Sequence, residues 1–119
     1  MENSILVDED KYDNFTSVEI YGQLTSRSII KFRKNIEEII RNADTNIVFD
    51  FIGVHYMDCS GLGILVNIKK IMDSKDLKFC LLNCSGEVFD IIDISHLTKK
   101  LNIFNDEESF RSYIKMTIK

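Results

Sequence analysis

The chain carries 119 residues, 45% of them hydrophobic, and a formal net charge of -4. That length gives room for one domain with one core, residues 1–119, and the hydrophobic share excludes a disordered chain or a fibre. The basic residues mix with acids on what reads as a solvated helix face, as in Arg33, Lys34, Glu37 and Glu38. This argues against nucleic acid as the partner, because a phosphate backbone calls for a basic surface.

The opening Met1-Glu2-Asn3-Ser4 lacks the basic start and long apolar stretch of a signal peptide. No apolar run nears the roughly 20 residues that span a bilayer. A cytoplasmic protein without membrane insertion is therefore expected. Ser4 to Val7 is the first short strand candidate, and the acidic stretch Asp8 to Asn14 suits a turn. Phe15 to Tyr21 alternates, with Phe15, Ser17, Glu19 and Tyr21 on one side and Thr16, Val18 and Ile20 on the other. The two segments read as a hairpin, ended by Gly22. A helix is predicted from about Ser26 to Ala43, where Ile29, Phe32, Ile36, Ile39, Ile40 and Ala43 form one apolar stripe and Thr25 or Ser26 caps the first turn. Ile47 to Ile52 is nearly all apolar and suits a strand covered on both faces.

A second helix is predicted from about Ser60 to Ser74. Leu62, Leu65, Ile68 or Lys69, and Met72 lie along one side, and Ile64 and Ile71 widen the apolar face. Leu77 to Leu82 is the next buried strand. Ser85 caps a helix carrying Val88, Phe89, Ile91 and Ile92. Leu101 to Phe104 is a last strand, and Asn105 with Glu108 resembles a capping box for a final helix with Phe110, Tyr113 and Ile114 inward. The order β-β-α-β-α-β-α-β-α implies parallel pairing through right-handed crossovers. The expected fold class is α/β, a mixed, mostly parallel sheet of about five strands with an N-terminal hairpin edge and about four helices.

Cys59, Cys80 and Cys84 are an odd set without the spacing of a zinc knuckle or a thioredoxin-type site, so reduced thiols are expected. His55 and His96 lack nearby ligands, and Asp50 reads as a hydrogen-bonded carboxylate at a strand end. With no nucleophile–base–acid set and no phosphate loop, the expectation is a chain that is not an enzyme and needs no metal or cofactor.

The most informative stretch is Tyr56-Met57-Asp58-Cys59-Ser60-Gly61-Leu62-Gly63-Ile64-Leu65-Val66. A strand ends before it and a helix starts within it. Asp58 therefore fits an N-cap, and Cys59 and Ser60 fall at a helix N-terminus with unpaired backbone N–H groups. Such an end favours negative charge by about 0.3–1 kcal/mol. A phosphate on a nearby hydroxyl would suit the helix end but crowd Asp58. Glycine inside a helix costs about 0.8–1.0 kcal/mol relative to Ala. Gly61 and Gly63 together thus predict close approach, either by another element of the domain or by a partner's backbone.

This stretch resembles the signature of the STAS family, as found in anti-sigma-factor antagonists: an apolar strand (Ile47-Val48-Phe49-Asp50-Phe51), then Met57-Asp58-Cys59-Ser60-Gly61-Leu62-Gly63. Leu81-Leu82-Asn83-Cys84-Ser85-Gly86-Glu87-Val88, Ile94-Ser95-His96-Leu97, Leu101-Asn102-Ile103-Phe104 and Gly22-Gln23-Leu24 extend the likeness from about residue 5 to 118. The resemblance implies a partner-switching monomer that binds an anti-sigma factor of the serine-kinase type and so frees a sigma factor. In that family the kinase phosphorylates the hydroxyl residue directly after the motif's Asp, the phosphorylated form no longer binds, and a phosphatase resets it. Here that position is Cys59, which a serine kinase cannot modify, and Ser60 becomes the candidate acceptor. Gln23 and Thr25 replace an acidic pair that lies near the acceptor in the family. The docking surface expected from the resemblance comprises Asp58, Cys59, Ser60, Gly61, Leu62, Gly63, Gln23 and Thr25. Cys59 leaves two further readings open, a redox-sensitive thiol or a small residue filling a Ser-sized slot, and it motivates an alternative function as a non-phosphorylated scaffold in another signalling or lipid-transport complex.

Overall fold

The computed structural model describes residues 5–116. Ser4, the first residue of the expected opening strand, and residue 118, the far end of the expected core, lie outside them. The elements are β1 (Ile5–Lys11), β2 (Phe15–Gly22), α1 (Ile29–Arg41), β3 (Asn46–Gly53), α2 (Cys59–Ser74), β4 (Phe79–Leu82), α3 (Gly86–Ile94), β5 (Ile103–Phe104) and α4 (Glu107–Met116). The order is the one the periodicities predict.

The five strands lie side by side in chain order, β1-β2-β3-β4-β5. β1 pairs antiparallel with β2, and every later pair is parallel. Because the strands advance in one direction across the sheet, crossovers of one hand send their helices to the same face. The burial pattern agrees. Phe32, Ile36 and Ile40 of α1, Leu65, Ile68 and Met72 of α2 and Val88 and Ile92 of α3 share one core with Ile20, Ile47, Phe49 and Phe51. The opposite face holds a smaller core, in which Phe110 and Ile114 of α4 pack on Phe15, Val48, Cys80 and Leu82. β3 is thus covered on both faces along its first half only. Ile52, near its end, is 60% exposed.

Three local expectations need correction. Asp8, Glu9 and Asp10 are not a turn but the second half of β1, paired with Glu19, Val18 and Ser17. Pairing with an adjacent strand overrides their poor intrinsic preference for extended structure. Helix α1 starts at Ile29 behind Ser28 rather than near Ser26, because residues 25–28 form a turn closed by the Ser28 N–H on the Thr25 carbonyl at 3.0 Å. The first turn of α4 is capped by Asp106, not Asn105. Its carboxylate accepts from the Ser109 N–H at 2.8 Å and from the Ser109 hydroxyl at 3.1 Å.

The centre of the larger core is aromatic. Phe49 is fully buried and meets Phe79 edge-on at 4.9 Å and Phe32 at 6.2 Å. Edge-to-face pairs add to the burial itself. Phe49→Ala is expected to lower the unfolding free energy by about 3–5 kcal/mol, read from urea denaturation. A loss below about 1 kcal/mol would show that the core closes elsewhere.

Candidate functional site

The loop after β2 and the loop after β3 are joined by a single parallel bridge between Leu24 and Met57. The Leu24 N–H donates to the Tyr56 carbonyl at 3.1 Å, and the Asp58 N–H donates to the Leu24 carbonyl at 3.0 Å. Asp58 adds a side-chain clamp. One carboxylate oxygen accepts from the Ser60 N–H at 2.9 Å, capping α2, and the other accepts from the Ser26 N–H at 3.1 Å in the turn that opens α1. The expected N-cap role of Asp58 is met, and a second role is added that sequence reasoning missed.

Ser28 is a further residue the sequence reading missed. It is buried, yet its hydroxyl makes no cap bond to α1. Instead it donates to the Gln23 carbonyl and accepts from the Thr25 N–H at 3.1 Å, holding the first loop against the domain. A Ser directly before the first apolar residue of a helical stripe was the available signal.

The two glycines differ. A Cβ on Gly61 would come within 2.6 Å of Met57 Cγ, 2.8 Å of Leu24 Cβ and 2.9 Å of the Leu24 carbonyl oxygen. The close approach predicted there is made by the domain's own loop. A Cβ on Gly63 would meet nothing within 4 Å.

Of the expected docking residues, Cys59, Gly63 and Gln23 are exposed, and Asp58, Ser60 and Thr25 are half-buried. Gly61 and Leu62 correct the expectation: both are buried, Leu62 in the larger core, so neither offers a surface. The Thr25 hydroxyl oxygen is occupied by the Arg27 N–H at 3.2 Å.

Cys59, Ser60 and Gly63 stand along one stretch of a groove of about 570 Å³ between α1 and α2, lined by Ile36, Ile40, Ile64 and Ile68. Lys75 also lines it, and its ammonium donates to the carbonyls of Ile40, Arg41 and Ala43 at 2.8, 2.7 and 3.2 Å. A cation there suits the carbonyls at and just beyond the end of α1 and ties that end to the residue that follows α2.

Of the three thiols only Cys59 is exposed. Burial pushes the Cys80 thiol up to about 12, with Lys69 and Lys78 pulling the other way. Burial, aided by the Asp50 carboxylate, does the same for Cys84. Asp50 lies within β3 rather than at its end, and it is hydrogen-bonded as expected, accepting from the Asn83 amide at 3.0 Å and the Ile52 N–H at 3.1 Å.

Two measurements follow from this geometry. Gly61→Ala is expected to destabilise by about 1–3 kcal/mol through overpacking, while Gly63→Ala stabilises by about 0.5–1 kcal/mol, both read as denaturation midpoints. Equal effects would show that the Leu24 contact does not constrain Gly61. At pH 8 a thiol titrating near 12 is a thiolate in roughly one molecule in ten thousand, so iodoacetamide is expected to label Cys59 alone in the native chain and all three cysteines after unfolding. Comparable native labelling at Cys80 would contradict its burial.

A family model described as STAS domain matches residues 7–110. An anti-sigma F factor antagonist of Paenibacillus polymyxa is 26% identical over 91 residues, which make up 76% of this chain and 78% of that protein. Among solved structures, an anti-sigma factor antagonist from Mycobacterium paratuberculosis matches with a TM-score of 0.86 at 15% identity, over 97% of both chains. The Bacillus cell fate determinant SpoIIAA in its phosphorylated form matches with a TM-score of 0.66 at 20% identity, over 91% of this chain and 99% of that one. These likenesses are to the fold as a whole, and the family match takes in most of β1, all of β2 to β5 and the segment from Met57 to Gly63. The chain is a member of the STAS domain family.

Proposed function

We propose that the chain is an anti-sigma factor antagonist that acts in the cytoplasm as a monomer, binds a serine-kinase-type anti-sigma factor and thereby frees a sigma factor. The observation that carries this reading is the Asp58 clamp. It holds the α2 N-terminus and the turn before α1 together, and it leaves Cys59, Ser60 and Gly63 accessible beside an apolar groove. A surface made of a fixed helix end and a groove suits docking rather than chemistry. The names of the relatives point the same way.

The switch is the part that this sequence changes. Ser60 donates its backbone N–H to Asp58, so a phosphate on its hydroxyl would place about two negative charges beside that carboxylate. Repulsion would weaken the clamp on Ser26 and alter the surface without touching the core. A second reading rests on Cys59, the exposed thiol in the family's acceptor position. In that reading the chain is a constitutive scaffold that docks without being phosphorylated, and any phosphatase is irrelevant to it.

With a purified serine-kinase-type anti-sigma factor from the same genome, titration calorimetry is expected to detect binding. Ser60→Asp is expected to weaken it at least tenfold, or about 1.4 kcal/mol. Absence of binding to every such factor would overturn the antagonist reading, and unchanged affinity of the Ser60→Asp variant would remove Ser60 as the switch. Incubation with kinase and ATP separates the two readings. A mass gain of one phosphate on the native chain supports the switch. A gain seen only in Cys59→Ser supports the scaffold.

A further inference from the structure

Among the described residues, nothing packs over half of the sheet face opposite the α1–α2 groove. α4 packs on that face over Phe15, Val48, Cys80 and Leu82. Beyond it, two rows of side chains run across β1, β2 and β3. The outer row is apolar. Leu6 pairs with Tyr21, and Ile52 stands beside them on β3, with exposures of 65%, 38% and 60%. The Tyr21 ring lies over Gly53, where a Cβ would collide with it. The inner row is acidic. Asp8 pairs with Glu19, and Glu19 pairs with Asp50.

Like charges directly opposite on neighbouring strands are destabilising. Among the described residues no ion pair reaches any of these three carboxylates. The Tyr21 hydroxyl donates to Glu19 at 3.0 Å, and this bond, with the charges of Glu19, Asp8 and Asp50, holds the phenol above its usual pKa. The fold thus sets three carboxylates side by side, with no ion pair to them among the described residues, next to exposed apolar side chains.

We infer that this bare half-face is a second docking surface, and that its occupant is a basic amphipathic helix of another protein. Each row spans three neighbouring strands, and the two rows lie about 7 Å apart along the strands, so a single helix about 10 Å wide, laid across the strands, reaches both. An apolar stripe on that helix covers Leu6, Tyr21 and Ile52, and its Lys or Arg residues neutralise Asp8, Glu19 and Asp50. A second copy of this chain does not fit, because an isologous contact sets the acidic row against itself. An anionic lipid surface is repelled for the same reason. The surface lies across the sheet from Asp58 to Ser60, so the inference stands or falls separately from the antagonist reading.

The test is a titration of the isotope-labelled chain with an 18-residue helical peptide of a Leu stripe and Lys elsewhere, with Glu replacing every Lys in the control. Amide shifts are expected around Leu6, Asp8, Tyr21 and Ile52 with the Lys peptide only. The double variant Asp8→Asn, Glu19→Gln is expected to bind it at least tenfold more weakly while melting no lower than the native chain, since a like-charge contact is removed. Ile52→Ser, at an exposed position, is expected to weaken binding as well and guards against a folding defect in the first variant. Equal binding of both peptides, shifts confined to the α1–α2 groove, unchanged affinity of the variants, or a dimer formed through this face would each overturn the inference.

Discussion

A single carboxylate organises the working end of this domain. Asp58 accepts from two backbone N–H groups, that of Ser60 in the first turn of α2 and that of Ser26 in the turn before α1, 32 residues away in the chain. Each loop leaves donors without intrahelical partners, and a helix cap of this kind contributes about 1 kcal/mol. The Leu24–Met57 bridge and the contact between Leu24 and Gly61 exist because the two loops are held this close. Removing the charge would loosen both helix starts at once, and with them the mouth of the groove.

The helices and buried strands were legible because their apolar residues recur with the period of the element and their flanks carry caps. α2, with its Asp58 cap, follows that pattern, while the strand Asn46–Gly53 stands out as a nearly unbroken apolar run. The misreadings fall where tertiary contacts decide. Nothing in Asp8-Glu9-Asp10 announces a strand, since the pairing that makes it one comes from β2. Ser28 stands where a helix cap would, directly before the first apolar residue of α1, and only the Gln23 carbonyl beside it turns its hydroxyl into a loop anchor. Gly61 and Gly63 are alike in the sequence. One is pressed against Leu24 and the other faces open space. The position of the candidate site was therefore readable from a motif, but the division of its residues into those that hold and those that present was not.

The strand order explains why the two faces of the sheet have such different fates. Strands laid down in sequence, with crossovers of one hand, commit α1, α2 and α3 to one side. One short helix is left for the other, and its apolar residues reach only part of five strands. The bare half-face is thus built into the topology, and its chemistry is set by which residues the hairpin places there.

The ends of the sheet bear on how the protein survives at high concentration. An unpaired strand edge is a template on which foreign chains can nucleate fibrils. One edge, β5, is only two residues long. The other, β1, is seven residues long, and its acidic run Asp8-Glu9-Asp10 repels an incoming copy of itself before backbone pairing begins. Asp8 belongs to both sets: it faces Glu19 within the folded sheet, and it helps guard the edge against self-assembly.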